Sequence, residues 1–457
     1  MKKEGAQAYL YGRELLKEEL EREIESGLEE VLQAAHTQKG FQSRNGSLQC
    51  VRCGSRREDH YPVPCSCGKD CRYCLRCLQM GRIKTCSLLY HLPESNHFPS
   101  VERPVLKWEG TLSEQQAMAS RDIVDTMETN GTRLVWAVAG AGKTEMLFEG
   151  IAHSLEQGKR VAVASPRIDV CLELAPRLQT AFKGVDVAVL YGEMEEAYRY
   201  TPLVVATTHQ LLRFKEAFDV LIIDEIDAFP FDTEPELHFA AEKARKRQSA
   251  LIYLTATPDR HLRKLVKRKR LDATILPARY HGHPLPVPKM IWAGDWRKTM
   301  VKNTEQAVPV RHMARLLSSG RRFLVFVPNI DWMKQVEQAL RDVFPDNRFD
   351  SVSSLDPMRK QKVTAMREEK IEFLLTTTIL ERGVTFRDID VLVVGAEDRI
   401  FTESALVQIS GRVGRHPAHP SGEILFFHYG KSLAMKKAVK QINTMNRLAK
   451  KRGLIHS

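Results

Sequence analysis

The sequence predicts an α/β protein with two parallel-sheet domains in tandem, preceded by a small cysteine-rich module and an N-terminal helix. From Leu106 onward, short aliphatic runs alternate with helical patterns, which is typical of βαβ units. A segment rich in Pro, Gly and His at residues 271–305 interrupts this alternation and is interpreted as a connector. Eight of the nine cysteines lie between Cys50 and Cys86. The expected domains are 1–40 (helical), 41–104 (cysteine-rich), 105–285 (first α/β) and 286–457 (second α/β).

Composition restricts the class of protein. The chain has 457 residues, of which 43% are hydrophobic and 28% charged, as in ordinary soluble proteins. It contains no apolar run of about 18 residues, and its charged N-terminus lacks the apolar core of a secretion signal. We therefore expect a cytoplasmic protein without a membrane span. The net charge of +12 favours a polyanionic partner, and basic residues are densest in Arg260–Arg270 and Lys431–Arg452.

Periodicity predicts the secondary structure. Leucine, isoleucine and valine recur at helical spacing over residues 8–36, which predicts one helix with an apolar packing face. The strands predicted for the first sheet are Arg133–Val138, Arg160–Ala164, Val187–Leu190, Leu203–Thr207, Val220–Ile223 and Ala250–Thr255. Those predicted for the second sheet are Arg322–Val327, Phe349–Val352, Phe373–Thr376, Val391–Val394 and Glu423–Phe427.

The segment Ala137–Thr144 (AVAGAGKT) lies between a predicted strand and a predicted helix, the context of a phosphate-binding loop. Its glycines allow the backbone to turn successive N–H groups towards phosphate oxygens, and the helix N-terminus adds positive charge. Lys143 is expected to contact the β- and γ-phosphates of ATP, and the Thr144 hydroxyl to ligate Mg²⁺. The predicted cofactor-binding residues of this loop are Gly140, Ala141, Gly142, Lys143 and Thr144.

Two carboxylates follow the apolar run Leu221–Ile223, at the end of a predicted strand where ligands bind in open α/β sheets. We expect Asp224 to hold Mg²⁺ through water and Glu225 to polarise the attacking water as general base. Further along the chain, Thr255 and Thr257 follow another strand in the order T-A-T-P. Their hydroxyls are candidates for coupling the γ-phosphate to a polymer track.

The second α/β region has its own conspicuous motif. Gln408–Arg415 (QISGRVGR) places two guanidinium groups three residues apart, on one face of a predicted helix. Arg412 and Arg415 are expected to neutralise charge that develops on the γ-phosphate, a contribution of about 10³–10⁵ in rate. Gln408 is placed to orient the water. The predicted catalytic residues are therefore Lys143, Asp224, Glu225, Gln408, Arg412 and Arg415.

Small polar residues suited to a phosphodiester backbone follow several strands. Hydroxyls, backbone N–H groups and arginine bind phosphates without reading base sequence. The candidate DNA contacts are Pro166, Arg167, Thr207, Thr208, Thr377 and Thr378. Gly383, in the segment Glu381-Arg382-Gly383, is a further candidate for coupling.

The cysteine pattern predicts metal. Cys50-x-x-Cys53 and Cys74-x-x-Cys77 are spaced as in zinc ribbons, where four thiolates meet one Zn²⁺. Cys71-x-x-Cys74 is an equally valid half-site by spacing alone. The further cysteines Cys65, Cys67, Cys71 and Cys86 leave open a second zinc or an exchange of ligands.

These motifs, in this order, resemble those of superfamily 2 helicases and DNA translocases, including the A-x-x-G-x-G-K-T variant of the phosphate loop. Related enzymes read the adenine edge with a glutamine at the start of a helix. Leu112–Gln116 is similar, with Gln116 the candidate and Gln115 the alternative.

Longer strings resemble one family more closely, the late-competence ComFA family: ASPRIDVCLEL, ATTHQLL, DEIDAFP and TTTILERGVTF. The resemblance extends from about Cys50 to the C-terminus. It implies two RecA-like domains and an ATPase, stimulated by single-stranded DNA, that helps draw transforming DNA into the bacterial cytosol. It also implies partners among competence proteins and the membrane DNA-uptake channel, a position at the inner face of the cell membrane, and zinc on Cys50, Cys53, Cys74 and Cys77.

Two alternatives remain open from the sequence. An RNA helicase is disfavoured by Gln408, where the DEAD-box family usually has histidine, and by DEID at Asp224–Asp227. An ATP-switched scaffold whose zinc module recruits partners is disfavoured by the presence of both Glu225 and Arg415, which favour turnover.

Overall fold

The computed structural model describes residues 3–44, 46–192, 194, 197–382 and 384–455. The chain divides into two compact units. Unit 1 comprises Met1–Val135 and Thr144–Thr274, and unit 2 comprises Trp136–Lys143 and Ile275–Ser457. No helix in the described ranges is long and apolar enough to cross a membrane.

The N-terminal part of unit 1 is built from short elements. A three-stranded antiparallel sheet has the order β1-β7-β2, and two hairpins, β3-β4 and β5-β6, carry most of the cysteines. The elements are α1 (Lys3–Gln7), β1 (Glu14–Leu16), α2 (Lys17–Glu23), α3 (Leu28–Ala34), β2 (His36–Lys39), β3 (Phe41–Arg44), β4 (Ser47–Cys50), β5 (His60–Val63), β6 (Cys71–Cys74) and β7 (Leu88–His91).

The prediction of one helix over residues 8–36 is wrong. The apolar stripe is shared between strand β1 and helices α2 and α3, because Gly12 and Gly27 take left-handed backbone angles that interrupt a helix. Leu15 is fully buried in β1, which pairs with β7, and Leu20 is fully buried in α2. A leucine spacing that suits a helix is therefore satisfied by a strand followed by a helix.

Unit 1 continues into a seven-stranded sheet of order β10-β11-β9-β12-β13-β8-β14, in which the run from β10 to β13 is parallel. All the strands predicted for it are confirmed, and β14 is additional. The elements are α4 (Glu114–Glu128), β8 (Thr132–Ala137), α5 (Phe148–Glu156), β9 (Val161–Ser165), α6 (Ile168–Ala181), β10 (Val187–Leu190), β11 (Leu203–Thr207), β12 (Phe218–Ile223), α7 (Pro235–Ala244), β13 (Arg245–Thr255), α8 (Arg260–Lys267) and β14 (Asp272–Leu276).

Unit 2 contains a six-stranded parallel sheet of order β15-β20-β19-β16-β18-β17. Its predicted strands are also confirmed. The elements are β15 (Lys289–Trp292), α9 (Trp296–Lys302), α10 (Val308–Ser318), β16 (Arg322–Phe326), α11 (Ile330–Val343), β17 (Phe349–Val352), α12 (Arg359–Arg367), β18 (Phe373–Thr376), β19 (Ile389–Val394), α13 (Glu403–Ser410), β20 (Ile424–His428) and α14 (Leu433–Lys451).

The interpretation of residues 271–305 as a connector is wrong in part, because β14, β15 and α9 lie inside it. The two strands end their sheets, and their short, partly polar sequences lack the continuous apolar runs of central strands. The basic cluster Arg260–Arg270 contains helix α8, which has no buried residue, and the cluster Lys431–Arg452 contains the whole of helix α14.

Buried charges attach the N-terminal module to the first large sheet. Arg160, the residue before β9, pairs with Glu94 at 2.5 Å, and both side chains are 0% exposed. Its guanidinium also donates to Tyr198 Oη (2.7 Å) and to the carbonyls of Thr201 (3.1 Å) and Tyr11 (3.3 Å). Burial of this cation is tolerable because the Glu94 carboxylate balances its charge and the other oxygens accept hydrogen bonds from its N–H groups.

A second buried network begins in the cysteine-rich turn. Arg52 is fully buried, pairs with Glu19 of α2, and donates to the Met80 carbonyl at 2.8 Å. Glu19 also accepts from Arg213 at 3.1 Å, in the segment that follows β11. Although burial opposes ionisation, the charges of Arg52 and Arg213 hold the pKa of Glu19 below its usual value. The carboxylate is therefore ionised and links two arginines from distant parts of unit 1.

We expect Arg160→Ala to lower the free energy of unfolding by about 3–5 kcal/mol, because it leaves the Glu94 carboxylate buried without its cation. Denaturant unfolding followed by circular dichroism would measure this. The control is Arg199→Ala, which removes an arginine 52% exposed and paired with an exposed carboxylate; we expect a change within about 0.5 kcal/mol. Equal effects of the two substitutions would contradict the role given to Arg160.

Candidate nucleotide and metal sites

The phosphate-binding loop lies where the sequence predicts it, between β8 and a short 3₁₀ turn, Glu145–Leu147, that leads into α5. Gly140 (φ 83°) and Gly142 (φ 73°) both take left-handed backbone angles, which explains the need for glycine. Between them Ala141 is fully buried, and Thr144 is 7% exposed. This strand–loop–helix arrangement can hold an anion through backbone N–H groups.

Arg279, a residue that the sequence analysis missed, lies against this loop. A Cβ at Gly140 would be 3.5 Å from the Arg279 side chain, and the neighbouring Tyr280 N–H donates to the Gly140 carbonyl at 3.2 Å. The Arg279 guanidinium donates to the carbonyls of Gly411 and Gly414. Burial, with a smaller contribution from the charge of Arg415, lowers the pKa of Arg279 to about 9. No sequence motif includes Arg279, which lies within the segment 271–305 that the sequence predicts as a connector.

The two carboxylates also lie where they are predicted, immediately after β12. The Asp224 N–H donates to the Ala164 carbonyl at 2.8 Å, which fixes it beside β9. Asp224 and Glu225 are 7% and 9% exposed, and the Glu225 N–H donates to Asp224 Oδ1 at 2.8 Å. Glu225 has φ 57°, a left-handed angle that costs a non-glycine residue roughly 1–3 kcal/mol and that occurs preferentially at functional sites.

The candidate coupling residues Thr255 and Thr257 contact the segment that carries the carboxylates. Thr255 Oγ1 donates to Asp227 Oδ1 at 2.6 Å, and Thr257 Oγ1 donates to the other carboxylate oxygen of Asp227. Asp227 lies three residues after Asp224, outside the set of residues that the motifs predict for the site. It ties the end of β13 to the end of β12. Gly383 lies outside the described residues.

The expected placement of Arg412 and Arg415 on one helical face is wrong. Helix α13 ends at Ser410 with Gly411 as its cap, and both arginines lie in the turns beyond it. Gly411 is required by packing, since a Cβ there would lie 2.5 Å from Ala139 Cβ within unit 2. Gly411 itself keeps a right-handed backbone angle (φ −64°), and the left-handed glycine in the turns beyond the helix is Gly414 (φ 69°).

The two arginines differ in environment. Arg412 is 1% exposed and donates to the carbonyls of Glu381 (3.1 Å) and Val384. Arg415 is half-buried and donates to the Gly411 carbonyl at 2.9 Å and to Thr385 Oγ1 at 3.3 Å. These hydrogen bonds of Arg412 support the backbone at Glu381 and Val384. Arg415 is the more accessible guanidinium of the pair.

The predicted glutamines lie on helices and are buried. Gln116 Oε1 accepts from the Ser113 N–H at 2.9 Å, which closes the first turn of α4, and Gln408 is 5% exposed in α13. Gln115, the alternative adenine contact, is 5% exposed. All three glutamines are therefore enclosed by their helices and the elements packed against them.

The candidate DNA contacts follow their strands as expected, but they differ in exposure. Pro166, Thr207 and Thr208 are buried, whereas Arg167, Thr377 and Thr378 are partly accessible. Arg167 lies 4.0 Å from Asp169.

Four of the cysteines form a buried group. The sulfur atoms of Cys50, Cys53, Cys74 and Cys77 all lie within 4.8 Å of one another. Cys50 and Cys77 are 3.8 Å apart, and Cys53 and Cys74 are 3.5 Å apart. Four buried thiols at these distances fit a tetrahedral Zn²⁺ with Zn–S bonds of about 2.3 Å.

Side chains and backbone next to this quartet make specific contacts with it. Ser55 Oγ lies 3.0 Å from Cys74 Sγ and 3.3 Å from His60 Nε2. Gly54, at φ 75°, packs on the ring of Phe239, where a Cβ would come within 2.6 Å. Such outer contacts orient metal ligands and attach the site to helix α7.

The remaining cysteines of the module form a separate group, Cys65, Cys67, Cys71 and Cys86. Cys71 and Cys74 therefore belong to different groups, and the half-site Cys71-x-x-Cys74 is not formed. Cys171 belongs to neither group. Burial raises its pKa to about 12, as expected for a thiol packed in a core.

Three family descriptions match successive parts of the chain: "Competence protein ComFA N-terminal domain" matches residues 1–91, "DEAD/DEAH box helicase" residues 113–265, and "Helicase conserved C-terminal domain" residues 309–417. Among solved structures, S. cerevisiae Dbp5 bound to RNA and ADP BeF3 gives a TM-score of 0.53 at 12% identity, over 74% of this chain and 92% of that one. Mycobacterium smegmatis helicase Lhr bound to ssDNA and AMP-PNP also gives 0.53, at 16% identity, over 74% and 50%. These likenesses establish the fold: two RecA-like helicase domains in tandem.

Curated relatives match almost the whole length. Competence protein ComFA of Bacillus subtilis (strain 168) is 42% identical over 425 residues, which cover 91% of each chain. Competence protein ComFA of Streptococcus pneumoniae (strain ATCC BAA-255 / R6) is 41% identical over 92% of this chain and 95% of its own. Matches of this extent include the cysteine-rich module as well as both helicase domains. The chain therefore belongs to the ComFA family of competence proteins.

Proposed function

We propose that this protein is an ATP-driven motor that moves along single-stranded DNA and helps draw transforming DNA into the cytosol. The observation that carries the proposal is the local arrangement at the end of β12. Asp224 offers a buried carboxylate suited to Mg²⁺, and the next residue, Glu225, has a strained left-handed backbone angle. Asp227, in the same segment, accepts hydrogen bonds from Thr255 and Thr257. The ATPase-type fold and the competence family support the interpretation of this arrangement as a site for hydrolysis that is coupled to movement.

The residues have defined roles in this proposal. Backbone N–H groups of the loop at Gly140–Gly142 and the Lys143 ammonium bind the β- and γ-phosphates of ATP. The Thr144 hydroxyl, and Asp224 through water, would hold a Mg²⁺ ion, which when bound would reduce the negative charge of the phosphates. Glu225 orients the attacking water and accepts its proton. Gln408 assists in orienting the water, and Arg415 compensates the charge of the γ-phosphate.

Movement along DNA requires that ATP hydrolysis change the contacts between the protein and DNA. The hydrogen bonds from Thr255 and Thr257 to Asp227 give a direct path from the β12 end to the β13 end. In the proposed track, Arg167, Thr377 and Thr378 offer partly accessible side chains. Thr207 and Thr208 are buried, so we expect them to contribute backbone groups and not hydroxyls.

We also propose the cofactor and partners of the motor. The quartet Cys50, Cys53, Cys74 and Cys77 holds a Zn²⁺ that stabilises the N-terminal module. Its burial within the same core as Leu16 and Phe41 supports a structural role. Other competence proteins and the membrane DNA-uptake channel are the expected partners, with the protein at the inner face of the membrane.

We expect Glu225→Gln to lower the kcat of DNA-stimulated ATP hydrolysis by about 10²–10⁴, because the amide cannot accept the proton of the attacking water. Lys143→Ala should weaken nucleotide binding itself, since it removes the charge nearest the β- and γ-phosphates. Phosphate release and the binding of a fluorescent ATP analogue measure the two effects.

The matched control is Glu216→Gln, which changes another glutamate of unit 1 with a left-handed backbone angle, φ 45°, on the exposed surface. It should hydrolyse ATP at the wild-type rate. If Glu225→Gln also hydrolyses at that rate while remaining folded, Glu225 is not the general base.

We expect single-stranded DNA to stimulate the ATPase more than duplex DNA or RNA of the same length and base composition. Contacts to an extended single strand account for the preference over duplex DNA, and discrimination against the 2′-hydroxyl accounts for the preference over RNA. Salt should weaken the stimulation by DNA because phosphate binding releases counterions. Steady-state ATPase rates at matched nucleotide concentration provide the comparison. Equal stimulation by RNA would remove single-stranded DNA as the preferred track.

We expect Cys50→Ser to lower the zinc content by one ion per chain, because a serine hydroxyl does not replace a thiolate ligand of Zn²⁺. Inductively coupled plasma mass spectrometry of the purified chain measures this. Cys171→Ser is the control and should retain the full zinc content, since Cys171 lies apart from both cysteine groups. Undiminished zinc in the Cys50 variant would show that the quartet is not the ligand set.

A further inference from the structure

The second cysteine group has the geometry of a metal site. The sulfur atoms of Cys65, Cys67, Cys71 and Cys86 lie within 4.8 Å of one another, with Cys65 and Cys86 3.6 Å apart and Cys67 and Cys71 3.4 Å apart. Four thiolates about 2.3 Å from a tetrahedral ion are separated by about 3.8 Å. We propose that this group binds a second Zn²⁺, independent of the ion in the buried quartet.

Strand β6 keeps the two groups apart. It begins at Cys71 and ends at Cys74, and residues three apart on a strand face opposite sides. One cysteine of β6 therefore serves each group, and neither can reach across the strand. This alternation makes two separate sites, and it excludes one site that exchanges ligands between Cys71 and Cys74.

Backbone hydrogen bonds bring the other ligands to Cys71. The chain before Cys86 runs beside β6, with the Cys74 N–H donating to the Ile83 carbonyl and the Thr85 N–H to the Arg72 carbonyl, each at 2.9 Å. On the other side, the Gly68 N–H donates to the Cys65 carbonyl at 3.0 Å, with Gly68 at φ 72°. This tight turn folds Cys65 and Cys67 back towards β6.

The charge around the group also suits thiolates. A Zn²⁺ with four thiolates carries two net negative charges, which a nearby cation stabilises. Lys84 Nζ lies 3.7 Å from Cys65 Sγ. The buried quartet has a comparable neighbour in Arg52, whose position in the Cys50–Cys53 turn places its charge near Cys50 and Cys77.

The two proposed ions differ in accessibility. Cys67 and Cys86 are exposed, whereas all four members of the buried quartet are enclosed. The second ion is therefore expected to exchange with a chelator first. Its structural effect is local, because it fastens the loop between β5 and β6 to the segment before β7.

The test is zinc counting on the full chain purified under reducing conditions. Wild type should contain two zinc ions per chain, and the double variant Cys67→Ser, Cys86→Ser should contain one. Cys171→Ser, the matched cysteine control, should contain two. Addition of a moderate-affinity chelator should remove one ion from wild type rapidly and leave the double variant unchanged.

Either of two results would overturn the proposal. The first is one zinc ion in wild type and the same number in the double variant. The second is a pair of disulfides, Cys65–Cys86 and Cys67–Cys71, found by thiol counting and peptide mapping on the chain purified under reducing conditions. Circular dichroism checks that the double variant is folded. The counts are independent of ATP hydrolysis, so failure here leaves the proposed motor function untouched, and failure of the motor leaves the zinc count untouched.

Discussion

The buried ion network Arg52–Glu19–Arg213 is the interaction on which the organisation of unit 1 depends. It joins the cysteine-rich turn, helix α2 and the segment after β11, three parts of the chain that sequence places far apart. A carboxylate this deeply buried is costly unless both arginines remain in place. We infer that the paired charges fix the register of the module on the sheet, because ion pairs are directional and apolar contacts are not. Arg160 and Glu94 impose the same constraint at the other end of the module.

This attachment has a consequence for function. Arg213 closes the 3₁₀ turn Thr208–Arg213, which begins next to the proposed DNA contact Thr207. Arg52 lies in the turn between two zinc ligands of the proposed site. A single carboxylate, Glu19, thus stands between the metal-stabilised turn and the proposed track. We infer that loss of metal would affect the track through this network, without the module itself having to contact DNA.

The sequence predicts the centre of each sheet well and its margins poorly. Central strands such as β9 and β12 contain continuous aliphatic runs because both of their faces are buried. A run of four to six such residues that ends in a turn is the length of a strand and is shorter than a typical helix. Strands β14 and β15 lack that signal. The N-terminal leucines do not distinguish one helix from a strand followed by a helix, because both arrangements bury leucines at the same spacing. In the candidate site, the motif residues can be proposed from the sequence, whereas Asp227 and Arg279 make contacts that only folding creates.

The cysteines show why spacing alone leaves ligand choice open. By sequence, Cys71-x-x-Cys74 and Cys74-x-x-Cys77 are equivalent half-sites, since each has two residues between its thiols. They differ because residues 71–74 form a strand and residues after 74 form a 3₁₀ turn. A strand directs positions three apart to opposite faces, whereas a turn of three residues returns them to the same side. Backbone conformation therefore selects Cys74 and Cys77 as partners and places Cys71 on the opposite face of the strand, with the second group.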